Sequence, residues 1–218
     1  MTKPGETPRI RYDEGCLAAH ALNLIGDRWA LLVVRELMFS PKRFQLIRAG
    51  MPGITASVLT ARLAQMRDVG VLTHDARLGV YALTDAGRAL LPVLEALCRW
   101  ALIVPGHDPR RFISPSALMI SMGVTLLRDE IGEGAATAGF DFGAEAFTVQ
   151  VRQRQMTTTA STSPDAPFVL KGDGNTLAVA VYGSTPLHLL AENGIINAEG
   201  DIAAAQDFVD MFRLQQQP

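Results

Sequence analysis

The feature that most constrains this sequence is a short amphipathic helix, framed by turn residues and followed at once by a hairpin pattern. Thr55 is a favourable N-cap for a helix that reaches Val69. The apolar side chains on one predicted face of this helix are Val58, Leu59, Leu63 and Met66. Met51-Pro52-Gly53 predicts a turn before the helix, and Gly70 ends it. Such a helix needs neighbouring elements to cover its apolar face.

The flanking sequence supplies those elements. Helices are predicted up to Gly26, from Trp29 to Phe39 and from Arg43 to Ala49. Two strands follow the amphipathic helix, at residues 71–75 and 80–83, joined by a turn at 76–79. Helices arranged in this order and followed by a hairpin predict a winged helix-turn-helix.

A long helix is predicted after the hairpin, from the cap at Thr84 to about Val104. Apolar residues recur along it with the 4-3 spacing of a coiled-coil seam: Leu90, Leu94, Leu97 and Ala101. This seam predicts a homodimer, with Pro92 kinking the helix from within. Trp29 and Trp100 are expected to anchor the core.

Charge divides the chain into two parts. Residues 1–104 hold 13 Lys and Arg against 9 Asp and Glu, a net charge of +4, whereas residues 105–218 hold 7 against 13, a net charge of −6. Two prolines and a glycine lie where the sign changes, which predicts a linker at 105–113. We therefore expect a basic domain at 1–104 and an acidic domain at 114–218. The positive charge of the first domain is a modest indication of nucleic-acid binding.

Several functional classes are excluded by the motifs the sequence lacks. The two cysteines are 82 positions apart, and no HExxH motif, phosphate loop or nucleophile elbow is present. Neither a secretory signal nor an apolar run of about 18 residues occurs. We expect a cytoplasmic protein that is not an enzyme, has no cofactor or metal, and does not bind membranes.

The second half has an α+β pattern. Helices are predicted at about 115–128, 175–182, 186–192 and 201–212. Strands are predicted at 146–154, at about 157–161, near 168–170 and at 195–198. The fold class expected for the whole chain is therefore α+β, with an N-terminal winged helix-turn-helix domain and a smaller C-terminal α+β domain.

The first half resembles the HxlR-type transcriptional regulators. The matching residues are Cys16, Leu24-Ile25-Gly26-Asp27-Arg28-Trp29, Arg43-Phe44, Pro52-Gly53-Ile54, Leu59-Thr60-x-Arg62-Leu63, Gly70-Val71-Leu72, Tyr81-x-Leu83-Thr84-x-x-Gly87 and Trp100. The resemblance extends over about 90 residues and implies a homodimer that binds double-stranded operator DNA. It also implies that helix 55–69 reads the DNA and that the hairpin tip lies near the minor groove.

Arg62 is the first candidate for a base contact, because a guanidinium on a recognition helix can donate hydrogen bonds to both O6 and N7 of guanine. Further candidates for base or phosphate contacts share the same predicted face: Thr55, Ser57, Thr60 and Gln65. Arg77 lies at the hairpin tip, where the narrow minor groove attracts arginine. Lys42 and Arg43 are candidates for phosphate contacts, with a plain surface role as the alternative.

Cys16 matches the cysteine that senses oxidants or electrophiles in some HxlR-type proteins, with a buried packing role as the alternative.

The second half is similar to the C-terminal part of sterol-carrier-protein type-two domains through Leu189-x4-Gly194, Ala198-Glu199-Gly200-Asp201 and Phe208-x3-Phe212. That resemblance implies a cavity for an apolar effector. The candidate lining residues are Phe147, Phe168, Phe208 and Phe212, although they would equally fill an ordinary core. The rival function is a lipid or small-molecule carrier, or an enzyme, in which the first domain serves dimerisation alone.

Overall fold

The computed structural model describes residues 12–129 and 131–214. The first half of the chain forms α1 (Leu17–Ile25), α2 (Ala30–Leu37), β1 (Lys42–Arg43), α3 (Phe44–Ala49), α4 (Ala56–Asp68), β2 (Leu72–Asp75), β3 (Val80–Leu83), α5 (Asp85–Arg88) and α6 (Leu91–Leu102). The second half forms α7 (Pro115–Thr125), β4 (Ala135–Asp141), β5 (Ala146–Arg152), β6 (Gln155–Ser161), β7 (Phe168–Lys171), α8 (Gly174–Tyr182), α9 (Leu187–Glu192), β8 (Asn197–Gly200) and α10 (Ile202–Val209).

The first half is a winged helix-turn-helix, as the sequence predicts. Its small sheet has the order β1-β3-β2 with antiparallel pairing, and β2 and β3 form the wing. The buried faces of α2, α3 and α4 meet over this sheet through side chains such as Val34, Ile47, Leu59 and Leu63. The buried apolar residues of α2 and α4 recur every three or four positions, so each of these two helices presents one apolar stripe to the shared core.

The prediction of a single long helix after the wing is wrong. The chain forms α5, passes through a two-residue turn at Ala89 and Leu90, whose backbone angles stay in the right-handed helical region, and starts again as α6. Pro92 lies in the first turn of α6 instead of within a continuous helix. A proline fits there without a kink, because the first backbone N–H groups of a helix have no partner within it.

The second half is built on a five-stranded sheet with the order β6-β5-β4-β7-β8. β4 and β7 pair in parallel, and the other neighbours are antiparallel. α7, α8 and α10 contribute to its core, together with aromatic side chains from the central strands such as Phe140 and Phe147. The whole chain therefore has the expected α+β class. The sequence pattern missed β4, whose residues 135–139 are Ala-Ala-Thr-Ala-Gly and give little hydrophobic alternation.

The two halves pack against each other. α7 belongs to the second half by sequence, yet it packs against α2 and α6, and its Ile120 is buried in the core of the first half. Phe39, after α2, contacts both cores, and its ring lies edge-on to Phe147 with centroids 5.7 Å apart. The segment at 105–113 therefore separates the two halves in sequence but does not hold them apart in space.

In the described parts of the chain, no single helix is long and apolar enough to cross a membrane. The sharply bent pair of α1 and α2 meets the length and composition criteria only when the two helices are taken together.

Candidate nucleic-acid interface

The first turns of α4 form an exposed polar surface. Thr55 caps the helix, since its Oγ1 accepts a hydrogen bond from the backbone N–H of Val58 at 3.3 Å and lies 3.1 Å from Ser57 Oγ. Ser57 and Thr60 are exposed, and Thr60 Oγ1 donates to the carbonyl of Ala56. Val58, expected on the apolar face, is 38% exposed and joins this surface. Three of the candidate side chains therefore face solvent from a helix whose opposite side is buried.

Arg62, the first candidate for a base contact, does not project freely from α4. Its Nη2 lies 2.8 Å from Oδ2 of Asp27, and its side chain is 17% exposed. Asp27 also accepts a hydrogen bond from the backbone N–H of Trp29, which places it at the start of α2. Gln65 lies on the same flank of α4, and its Nε2 is 3.5 Å from the carbonyl of Leu24. These two side chains hold α4 against the α1–α2 turn, and a base contact by Arg62 would require its ion pair to open.

The two cations of β1 have opposite environments. Lys42 is 2% exposed, and its Nζ contacts groups of the second half, so the expectation that it touches DNA phosphates is wrong. Arg43 is exposed and lies immediately before α3. Successive residues of a strand point to opposite faces, and this alternation explains why one cation is buried and its neighbour is free.

The wing presents Arg77 at its tip, as expected. Asp75 Oδ1 accepts hydrogen bonds from the backbone N–H groups of Arg77 and Leu78 at 2.8 and 3.1 Å, which fixes the turn. Gly79 closes this turn with a φ of 67°, a conformation that glycine adopts without strain. Behind the tip, the rings of His74 and Tyr81 stack with centroids 4.3 Å apart. Arg77 is therefore an exposed guanidinium on an ordered hairpin.

One further cation near α4 escaped the sequence analysis. Arg48 lies on α3 and is exposed, together with Gln45 of the same helix. Both residues line a shallow cleft of about 360 Å³ beside the turn between α3 and α4. The sequence shows a helix there, but its exposed side emerges from the packing against α2.

The apolar stripe expected to form the dimer seam is partly used within the chain. Leu94 is 6% exposed and belongs to the core of the first half, against which Leu90 also packs. Leu94 is therefore not available to a second subunit, and Ala101 is half-buried. Leu97 is 44% exposed, as expected of a seam residue.

A neighbouring face of α6 is the exposed one. Its apolar side chains, with that of the C-cap residue Ile103, are between 41% and 61% exposed: Val93, Leu97, Trp100 and Ile103. Trp100 is thus not a core anchor, whereas Trp29 is half-buried against the core. α1 also carries exposed apolar side chains, Leu17 and Leu22.

Cys16 occupies the N-cap position of α1 and is exposed. The backbone N–H groups of Ala19 and Ala18 hold the pKa of its thiol below the ordinary value, because they favour the thiolate. Cys98 lies on α6, and burial raises the pKa of its thiol. The two free cysteines therefore differ in the direction expected for a reactive and a structural thiol.

The four phenylalanines expected to line an apolar cavity are 0–4% exposed and belong to the core of the second half: Phe147, Phe168, Phe208 and Phe212. The ring centroid of Phe208 lies 5.8 Å from that of Phe168 and 5.4 Å from that of Phe212, so these side chains pack against one another. Phe168 and Phe208 also form the inner wall of a surface groove of about 750 Å³, beside β4 and α10. Within the described residues, no cluster of His, Cys, Asp and Glu is arranged to hold a metal ion.

Comparison with known proteins assigns the first half. Residues 24–105 match the model of the HxlR-like helix-turn-helix family. An uncharacterised HTH-type transcriptional regulator of Methanothermobacter thermautotrophicus is 32% identical over 98 residues, which are 43% of this chain and 75% of that protein. YvaP of Bacillus subtilis, named in the same way, is 34% identical over 87 residues, which are 37% of this chain and 80% of YvaP. The chain belongs to the HxlR-like helix-turn-helix family. The quinone-bound structure of YodB from B. subtilis is 33% identical to this HxlR-like chain, over 39% of this chain and 96% of YodB, with a TM-score of 0.37.

Proposed function

We propose that this HxlR-like protein is a homodimeric transcriptional regulator that binds double-stranded operator DNA through α4 and the wing. The observation that supports this most directly is the first half of α4, where small and polar side chains are exposed to solvent. The candidate base or phosphate contacts on this surface are Thr55, Ser57 and Thr60. A helix that is buried on one side and polar on the other can enter a major groove without loss of its core contacts.

Three exposed arginines on other elements of the first half would contact phosphates or the minor groove. Arg77 extends from the wing tip, Arg43 precedes α3, and Arg48 lies on α3, the helix that crosses the DNA backbone in a helix-turn-helix. Arg62 and Gln65 are assigned to holding α4 in place, on the basis of their contacts with Asp27 and Leu24.

The homodimer would form through the exposed faces of α6 and α1. Trp100 and Leu97 offer large apolar side chains on α6, and Leu17 and Leu22 offer them on α1. Exposed apolar patches of this kind on a folded protein mark interaction sites. We expect a second copy of the chain to cover them, because the proposed operator binding requires two recognition helices spaced along one face of the DNA.

The test is a mobility-shift titration at several salt concentrations, with a duplex enriched by the protein from a random-sequence library. Binding through phosphates makes log K fall linearly with log salt. Arg77→Ala should weaken binding, whereas Arg152→Ala, an exposed arginine on β5, should leave it unchanged. Absence of salt-dependent binding would favour the carrier or enzyme alternative, in which the first half serves dimerisation alone.

For the second half we propose the effector role implied by its similarity to sterol-carrier-protein type-two domains, at the groove between β4 and α10. The supporting observation is the apolar inner wall of this groove, formed by Phe168, Phe208 and Met211, with Gln150, Asp165 and Asp207 also lining it. This arrangement fits an apolar molecule with a polar end. A regulator of this kind acts where the chromosome is, so we expect it in the cytoplasm.

A further inference from the structure

A cluster of charged and hydroxyl side chains is buried between the two halves of the chain. Its members are Glu36, Lys42, Ser114, Ser116 and Glu145, and we refer to them as the interdomain cluster. Glu36 and Lys42 come from the first half, at 1% and 2% exposure, and the others come from the second half. Burial of charged groups is costly unless they are paired, so the contacts within this cluster fix how the halves meet.

Lys42 is the central member of the interdomain cluster. Its Nζ lies 2.5 Å from Oε1 of Glu145 and 3.5 Å from Oε2 of Glu36, and it donates a hydrogen bond to Oγ of Ser116 at 3.0 Å. Burial raises the pKa of the Glu145 carboxyl, while the charge of Lys42 acts in the opposite direction. Lys42 thus connects β1, beside the wing, to the start of α7 and to the turn before β5.

Glu36 extends the interdomain cluster to the turn between α3 and α4. Its Oε1 accepts hydrogen bonds from Oγ of Ser114 at 2.6 Å and from Nε of Arg35 at 2.8 Å. Arg35 also donates to the carbonyl of Gly50, at 2.7 Å. The Glu36 carboxylate lies so close to Gly50 that a Cβ at this position would overlap it. Gly50 ends α3, so the same carboxylate touches both the helix-turn-helix and the second half.

We propose that Lys42 is a positioning residue for operator binding. Through Glu145 and Glu36 it joins the second half to the wing and to the turn before α4. The inference rests on the proposed function. The second half thereby sets the position of the elements that read DNA, although it contributes no DNA contact at this point. A change in the second half that separates Glu145 from Lys42 alters operator affinity through the position of β1 and of the turn, without removal of a phosphate contact.

The test compares two neighbouring cations of β1. Arg43→Gln removes an exposed charge and should reduce the slope of log K against log salt by about one. Lys42→Met and the isosteric Glu145→Gln should lower operator affinity about tenfold with the slope unchanged. The operator affinity of the double variant should be no lower than that of the single variant with the lower affinity, because both substitutions remove the same contact between Lys42 and Glu145.

Unfolding of the full chain supplies a second readout. Wild type should unfold in one transition, and Glu145→Gln should separate the unfolding of the two halves or increase proteolytic cleavage at 105–113. A reduced salt slope for Lys42→Met would overturn the proposal, since Lys42 would then contact phosphate. Wild-type affinity for Glu145→Gln would overturn it too, even if the variant is less stable. If wild type itself shows no salt-dependent binding, the proposed function is wrong, and the unfolding measurement still decides whether the cluster joins the halves.

Discussion

The ion pair between Asp27 and Arg62 gives a prediction that separates two roles for one arginine. Its atoms lie 2.8 Å apart, and the side chains are 35% and 17% exposed. Fully exposed pairs contribute about 0.2–1 kcal/mol, and loss of one partner of a fully buried pair costs about 3–5 kcal/mol. For a half-buried pair we expect a coupling free energy of about 1–2 kcal/mol. For a chain of this size, loss of that coupling should lower the melting temperature by roughly 3–6 °C.

A double-mutant cycle measures this coupling. Asp27→Asn keeps an oxygen for the backbone N–H of Trp29, and Arg62→Gln keeps much of the aliphatic stem, so each substitution mainly removes charge. The matched control is the pair of Arg67 and Asp68, also on α4, whose side chains are more than half exposed and lie 3.3 Å apart. The control cycle should give a coupling close to zero.

Operator binding decides which role Arg62 has. If the pair positions α4, Asp27→Asn and Arg62→Gln should weaken binding by similar factors, because each releases the same flank of the helix. If Arg62 reads a base directly, its replacement should cost about 1–3 kcal/mol of specific binding, whereas Asp27→Asn should leave affinity unchanged or increase it. This second pattern, or a coupling close to zero in unfolding, would refute the positioning role.

Three further predictions concern the other surfaces. Leu97→Glu should convert the dimer to a monomer in sedimentation, whereas Val179→Glu, at an exposed apolar position on α8, should not; a dimer in both would place the interface elsewhere. Diamide should change operator affinity in wild type and not in Cys16→Ser, since the lowered pKa increases the thiolate fraction; equal responses would assign the effect to another site. An environment-sensitive apolar dye should be displaced by a fatty acid in wild type and bind more weakly in Met211→Glu, which places a charge in the groove; equal dye binding in both proteins would remove the groove as the effector site.

Local signals account for the parts of the fold that the sequence predicts well. The cap at Thr55 and the turn at 76–79 depend on residues within a few positions of one another, so the amino-acid sequence suffices to locate α4 and the wing. The start of α7 is equally local, because Ser114 caps a helix that opens with Pro115.

The candidate site could be predicted less well, because its details depend on contacts distant in sequence. Lys42 and Arg43 are chemically alike in the sequence, and the partners that bury Lys42, Ser116 and Glu145, lie far along the chain. The 4-3 spacing through Leu90 and Leu94 is real, but a stripe of this width serves a core as well as a coiled coil. Arg62 lies at a family-motif position on α4, yet its partner is 35 residues earlier in the chain.

The burial of Lys42 against Glu145 has a consequence for how the protein is made. These residues are 103 positions apart, so at about 5–20 residues per second the ribosome completes Lys42 on the order of 5–20 s before its counter-ion. The nascent first half lacks Ser116 and Ile120 for most of this interval, and it lacks Glu145 for all of it. Until residues 115–125 have been made, the apolar surface of the first half against which α7 packs has no cover. Nascent chains truncated before residue 115 should therefore engage chaperones that bind exposed apolar segments more strongly than the finished protein does.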